Sequence, residues 1–75
     1  MSKSKLPQLS ARECVRAFEK AGFYIVRQKG SHIYMRRDIP FVQISVPNHK
    51  VIKPGTLRSL IRQTGLTVEE FTDLL

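Results

Sequence analysis

The chain has 75 residues, one cysteine and a formal charge of +7; this excludes a fold stapled by internal disulfides and leaves one small hydrophobic core to hold the structure. No apolar run approaches the roughly 20 residues needed to span a bilayer, and the lysines of Met1–Leu6 are not followed by the apolar stretch of a secretory signal. The charge is segregated. Between Arg27 and Arg62 lie eight bases and one acid, Asp38, so this segment holds the whole excess while the rest is balanced. A concentrated field of one sign is the footprint of a polyanion binder. A lone thiol suits the reducing cytoplasm.

Residues 1–8 are expected to be a flexible tail, and residues 9–75 to form a single domain. Ser10 and Glu13 make an S-x-x-E capping box, with Leu9 and Cys14 placed as a hydrophobic staple. Ala11, Cys14, Val15 and Phe18 share one helical face, and Gly22 suits the left-handed position after the helix. Cys14 on that face reads as core, not as a nucleophile.

Phe23–Gln28, rich in aromatic and β-branched residues, predicts a strand, and Lys29-Gly30 a tight turn. Ser31–Arg37 alternates: Ile33 and Met35 on one side, His32, Tyr34 and Arg36 on the other. After a turn at Asp38–Pro40, Phe41–Val46 sets Val42, Ile44 and Val46 against Gln43 and Ser45. The middle is therefore a three-stranded antiparallel meander with one apolar face, and Ile33, Met35, Val42 and Ile44 are expected in the core.

An irregular basic loop follows from Pro47 to Lys53. Pro54 suits the first position of a helix running to about Thr64, with Leu57, Leu60 and Ile61 as its stripe and Gly65 as its stop. Thr67 and Glu70 form a second capping box, opening a short helix with Val68, Phe71, Leu74 and Leu75. The order αβββα with a short extra C-terminal helix is an α+β two-layer sandwich, the helices covering the apolar face of the sheet.

With Lys29 and Gly30 as the hairpin loop, Arg27 faces His32 on the open side and Val26 faces Ile33 in the core. An imidazole beside a guanidinium suits phosphate chemistry. RNA is cut without a metal when its own 2′-hydroxyl attacks the adjacent phosphate; a neutral His can take the hydroxyl proton, and Arg or Lys can hold the developing charge. His32 is the candidate base. His49, beside Lys50 in the loop, is either the acid partner or an ordinary loop residue. Gly30 permits close approach of the backbone and Ser31 offers a hydroxyl, while Tyr34 can stack on a base. With Arg27, Lys29, Arg36, Lys50 and Lys53 they make up the expected RNA-binding set. No grouping of His, Cys and carboxylates suggests a metal, and no cofactor is expected.

Gly30-Ser31-His32, Val46-Pro47-Asn48-His49, Ile52-Lys53-Pro54-Gly55-Thr56-Leu57 and Gly65-Leu66 stand in an order that resembles the HicA toxin family, from about Leu9 to Phe71. The resemblance implies a double-stranded-RNA-binding-domain-like αβββα fold, mRNA-cleaving activity and a HicB antitoxin as partner. It also implies that His32, in the G-S-H element, is the catalytic residue. The chain would then be monomeric alone and hetero-oligomeric with its antitoxin.

Three other readings stand beside this one. A non-catalytic double-stranded-RNA-binding module would carry the same charge and fold. Leu57–Phe71 has the look of a DNA-binding helix–turn–helix, though Glu69, Glu70 and Asp73 would point acids at phosphates. In the last, the basic face serves only an acidic protein partner.

Overall fold

Ser10 starts the first helix, α1 (Ala11–Lys20), by the expected box: its hydroxyl accepts from the Glu13 N–H, and Glu13 Oε1 accepts from the Ser10 N–H at 2.9 Å. The structure, a computed structural model, describes residues 6–75. Of the expected tail, residues 1–5 lie outside the described residues, and Leu6 packs partly against the core. Three strands follow α1: β1 (Tyr24–Lys29), β2 (His32–Asp38) and β3 (Phe41–Pro47). They form an antiparallel sheet in the order β1-β2-β3. Two helices close the chain, α2 (Pro54–Thr64) and α3 (Val68–Thr72). Gly65 ends α2 at φ +84°, and α3 opens on the Thr67–Glu70 capping box. This is the α+β sandwich, double-stranded-RNA-binding-domain-like in element order.

The core lies between the helices and one face of β2 and β3. Phe18 is fully buried, with ring centroids 5.1 Å from Phe71 and 5.9 Å from Phe23. Met35, Ile44 and Val46 are buried beneath the helices, and Ile33 is 8 % exposed. Val42, expected among them, is only half-buried, because it stands at the start of β3 where cover thins. The loop after β3 is tied down. Ile52 is buried and donates its N–H to Leu9 O at 2.7 Å, and Ala11, at the first position of α1, donates to His49 O at 3.0 Å.

The first hairpin departs from expectation by one residue. Its two loop residues are Gly30 and Ser31, so Lys29 pairs with His32, Gln28 with Ile33 and Arg27 with Tyr34. Gly30 has φ +57° and no non-glycine residue among the described residues has positive φ, the arrangement of a II′ turn with glycine first. A register shift between Ile25 and Arg27 leaves Val26 as a bulge. Val26 is 39 % exposed and does not reach the core. One extra residue on β1 restores the alternation on either side, so Arg27 keeps the open face despite the changed register. β1 itself is exposed throughout, because the helices pack toward β3 and leave this edge strand uncovered.

Candidate nucleic-acid interface

Strand pairing sorts the side chains by face. Ile33, Met35 and Arg37 point toward the helices; His32, Tyr34, Arg36 and Asp38 point to the open side. Residues paired across neighbouring strands share a face, so Tyr24, Arg27 and Lys29 join them from β1, and Phe41, Gln43, Ser45 and Pro47 from β3.

His32 is exposed at one end of this face. Lys29 stands directly opposite on β1 and Pro47 on β3. Tyr34 follows along β2, its ring centroid 6.3 Å from that of His32, and the Arg27 guanidinium lies 5.2 Å from the centroid of the Tyr34 ring. The expected pairing of Arg27 with His32 is thus corrected. Lys29 is the cross-strand neighbour of His32, and Arg27 sits one pair further on, held by Tyr34. The only acid on the sheet, Asp38, is at the opposite end of β2 and accepts from Tyr24 Oη at 2.8 Å. It lies six positions along the strand from His32, about 20 Å, which leaves the histidine end purely basic.

Gly30 and Ser31 form the hairpin tip beside His32. The loop after β3 begins at the same end. Asn48 donates its N–H to Ser31 O at 2.7 Å, extending the β2–β3 pairing by one step, and His49 donates to Pro47 O at 2.9 Å. The imidazole of His49 and the ammonium of Lys50 are exposed there. Lys53 is the N-cap residue of α2 and shares a surface groove with Ser45 of β3. The structure thus brings together part of the expected set: Arg27, Lys29, Gly30, Ser31 and Tyr34 stand with His32 at one end of the open face, whereas His49, Lys50 and Lys53 lie in the loop that leaves that end and is tied to the start of α1. Arg36 lies further along β2, its guanidinium 5.8 Å from the centroid of the Phe41 ring, and its Nε is buried with no acceptor among the described residues.

Two bases of the central segment separate by role. Arg36 faces out. Arg37, the next residue, turns inward, where its guanidinium donates to Thr64 O at 2.9 Å and lies 4.8 Å from the centroid of the Phe23 ring. Phe41, 65 % exposed on the open face, was not among the expected site residues. The signal was there: Phe41, Gln43 and Ser45 share the polar phase of β3, and an aromatic in that phase is the exception. Cys14 is fully buried, and burial, with Glu13 nearby, pushes its thiol up to about 11; it is a core residue.

Among the described residues no three His, Cys, Asp or Glu side chains gather as a metal site, and no helix is long and apolar enough to cross a membrane. The five residues of α3, with Phe71 buried, are too few to act as a recognition helix. A family model described as the HicA toxin of bacterial toxin–antitoxin systems matches residues 11–66. Comparison with curated proteins and with solved structures returns no match.

Proposed function

The chain belongs to the HicA toxin family, and from that premise we propose that it is the toxin of a toxin–antitoxin system, an mRNA endoribonuclease that works at the His32 end of the open sheet face. The observation that carries this reading is the pairing of exposed His32 with Lys29 across the strand, beside Tyr34 and Arg27, on a sheet end without acids.

In the proposed reaction His32 accepts the proton of a ribose 2′-hydroxyl. The 2′-oxygen forms a bond to the adjacent phosphorus, and the bond from phosphorus to the 5′-oxygen breaks. The products are a 2′,3′-cyclic phosphate and a 5′-hydroxyl, the leaving oxygen taking a proton from an acid. His49, in the loop at the same end, is the candidate acid. Lys29 and Arg27 hold the charge that grows on the phosphoryl oxygens, and the N–H and hydroxyl of Ser31 at the glycine turn are placed to contact phosphate. Arg36, Lys50 and Lys53 bind the flanking backbone. The chemistry uses the nucleophile already present in RNA and calls for no cofactor. Residues 9–75 act as one unit in the cytoplasm. A HicB antitoxin silences the toxin by covering this face, turning a monomer into a hetero-oligomer.

The test is cleavage of a defined labelled RNA by the wild-type chain and by His32→Ala, with and without a chelator. Loss of a positioned proton-transfer group lowers turnover by about 10²–10⁴-fold, and binding should persist because the cations remain. A folded His32→Ala protein that cuts at the wild-type rate removes the assignment. A wild-type chain that binds RNA and leaves it intact supports the non-catalytic module instead.

A further inference from the structure

Phe41 has no evident place in the folding of this chain. Its ring is 65 % exposed on the sheet face away from the helices, beside the hairpin residue Ile39, which is 89 % exposed. Single exposed apolar residues are ordinary on protein surfaces. Two features set this one apart. It belongs to the same face as His32 and Tyr34, level with Asp38 at the end of β2. That level lies four positions along the strand from Tyr34, about 13 Å. In addition, Arg36 stands between them with its guanidinium over the Phe41 ring and its buried Nε without an acceptor among the described residues. A flat ring and a guanidinium at one spot match the two halves of a nucleotide: a base to stack and a phosphate or carbonyl oxygen to accept from the terminal guanidinium N–H groups.

We propose that Phe41 and Arg36 form a second nucleotide subsite, so that the open face binds RNA as a single strand laid along β2 from His32 past Tyr34 to Phe41. This deepens the reading of the face as the RNA site and rests on it. Single-strandedness follows from the geometry. A base can lie on a ring standing on a sheet face only if it is splayed out of a duplex, because an A-form helix keeps its bases stacked on one another. Gln43, paired with Arg36 across the strands, lies on the same face and can meet the edge of the stacked base. The subsite is remote from the reacting phosphate and contributes to binding, not to proton transfer.

The experiment uses a fluorescent 2′-O-methyl RNA of twelve or so nucleotides, which lacks the attacking hydroxyl and is bound without being cut. Affinities are compared for the wild type, Phe41→Leu and Phe41→Trp, with the single strand and with its duplex. Leucine keeps the apolar bulk and removes the π face; tryptophan restores it. Stacking of one base is worth roughly five- to a hundredfold in affinity. The expected result is a loss of that size for Phe41→Leu, recovery in Phe41→Trp, weaker binding of the duplex, and no response of the duplex to either substitution. Thermal melting should be the same for all three proteins, since the ring is exposed. Equal affinity of Phe41→Leu and wild type for the single strand overturns the proposal. So does a duplex bound as tightly as the strand, or a wild-type chain that does not bind the probe. A Phe41→Leu protein with unchanged RNA affinity and weakened capture of the antitoxin marks the ring as a protein-docking residue, which also overturns it. Binding of this probe does not depend on cleavage, so the His32→Ala cleavage assay fails or succeeds separately.

Discussion

Arg36 and Arg37 are adjacent in the chain and opposite in the fold, so their alanine variants should fail in different assays. Arg37 donates to Thr64 O at 2.9 Å and more weakly to Pro40 O at 3.3 Å, and lies over Phe23. Its stem also lies against Gly22, where an added Cβ would come within 3.6 Å of Arg37 Cδ. A hydrogen bond from a charged donor contributes about 1.5–3 kcal/mol, and a cation over an aromatic face about 0.5–1 kcal/mol at a partly exposed site. Part of the first figure is lost to solvent, because Arg37 is only half-buried. Arg37→Ala should therefore cost about 2–3 kcal/mol. For a domain of this size that is a fall in Tm of about 10–20 °C. Lysine should recover only part of it, because it has neither the fork nor the flat face. Arg36→Ala should leave Tm nearly unchanged, weaken RNA binding, and reduce the salt dependence by about one phosphate contact. The assays are thermal unfolding followed by circular dichroism, and RNA binding measured well below the lower Tm. An Arg37→Ala protein that melts within about 2 °C of wild type would refute the structural role. A folded Arg37→Ala protein with the binding defect of Arg36→Ala would refute the division between the faces.

Because Lys29 and not Arg27 faces His32, Lys29→Ala should lower cleavage turnover by about tenfold or more, and by more than Arg27→Ala does; the reverse order in single-turnover assays would contradict this register. Binding of single-stranded RNA should weaken with salt. If three to five of Arg27, Lys29, Arg36, Lys50 and Lys53 contact phosphates, log K plotted against log salt should slope at about −2 to −3.5; a flat plot would place the RNA elsewhere. The Cys14 thiol, held up to about 11 in the folded chain against an ordinary 9.0, keeps its proton in alkali while the unfolded chain loses it. The unfolded state then binds fewer protons, so this thiol lowers stability as pH rises from about 9 to 11. Denaturant melts at pH 7.5 and 10.5 should show a drop that Cys14→Ala makes smaller; an equal drop in both proteins would show that the thiol does not contribute.

Local chemistry was legible in the sequence wherever a few neighbouring residues decide the outcome. Both capping boxes, the proline at the start of α2 and the glycine after it act over three or four residues, and each stands where the pattern placed it. The alternation of β2 marked Ile33 and Met35 for the core and His32, Tyr34 and Arg36 for the open side, and the strand pairing agrees. β1 was harder because Tyr-Ile-Val-Arg-Gln-Lys has no period of two. Its pairing had to be inferred from the turn alone, and Lys29-Gly30 and Gly30-Ser31 are both acceptable two-residue loops.

The tertiary structure decided between them. β2 is held from the other side by β3, which fixes the faces of Ile33 and Met35, and β1 must match that frame from the turn at one end and from Met35 opposite Ile25 toward the other. The bulge at Val26 reconciles the two, which is why Lys29 and not Arg27 ends beside His32. The same cooperativity settled what no window of sequence contains: that the helices lean on β3 and leave β1 bare, and that Arg37 is spent on the C-terminal end of α2. Residue types and their order therefore determined the elements, the basic face and the candidate histidine. Which cation meets that histidine depends on contacts between strands, and those exist only once the sheet has closed on its core.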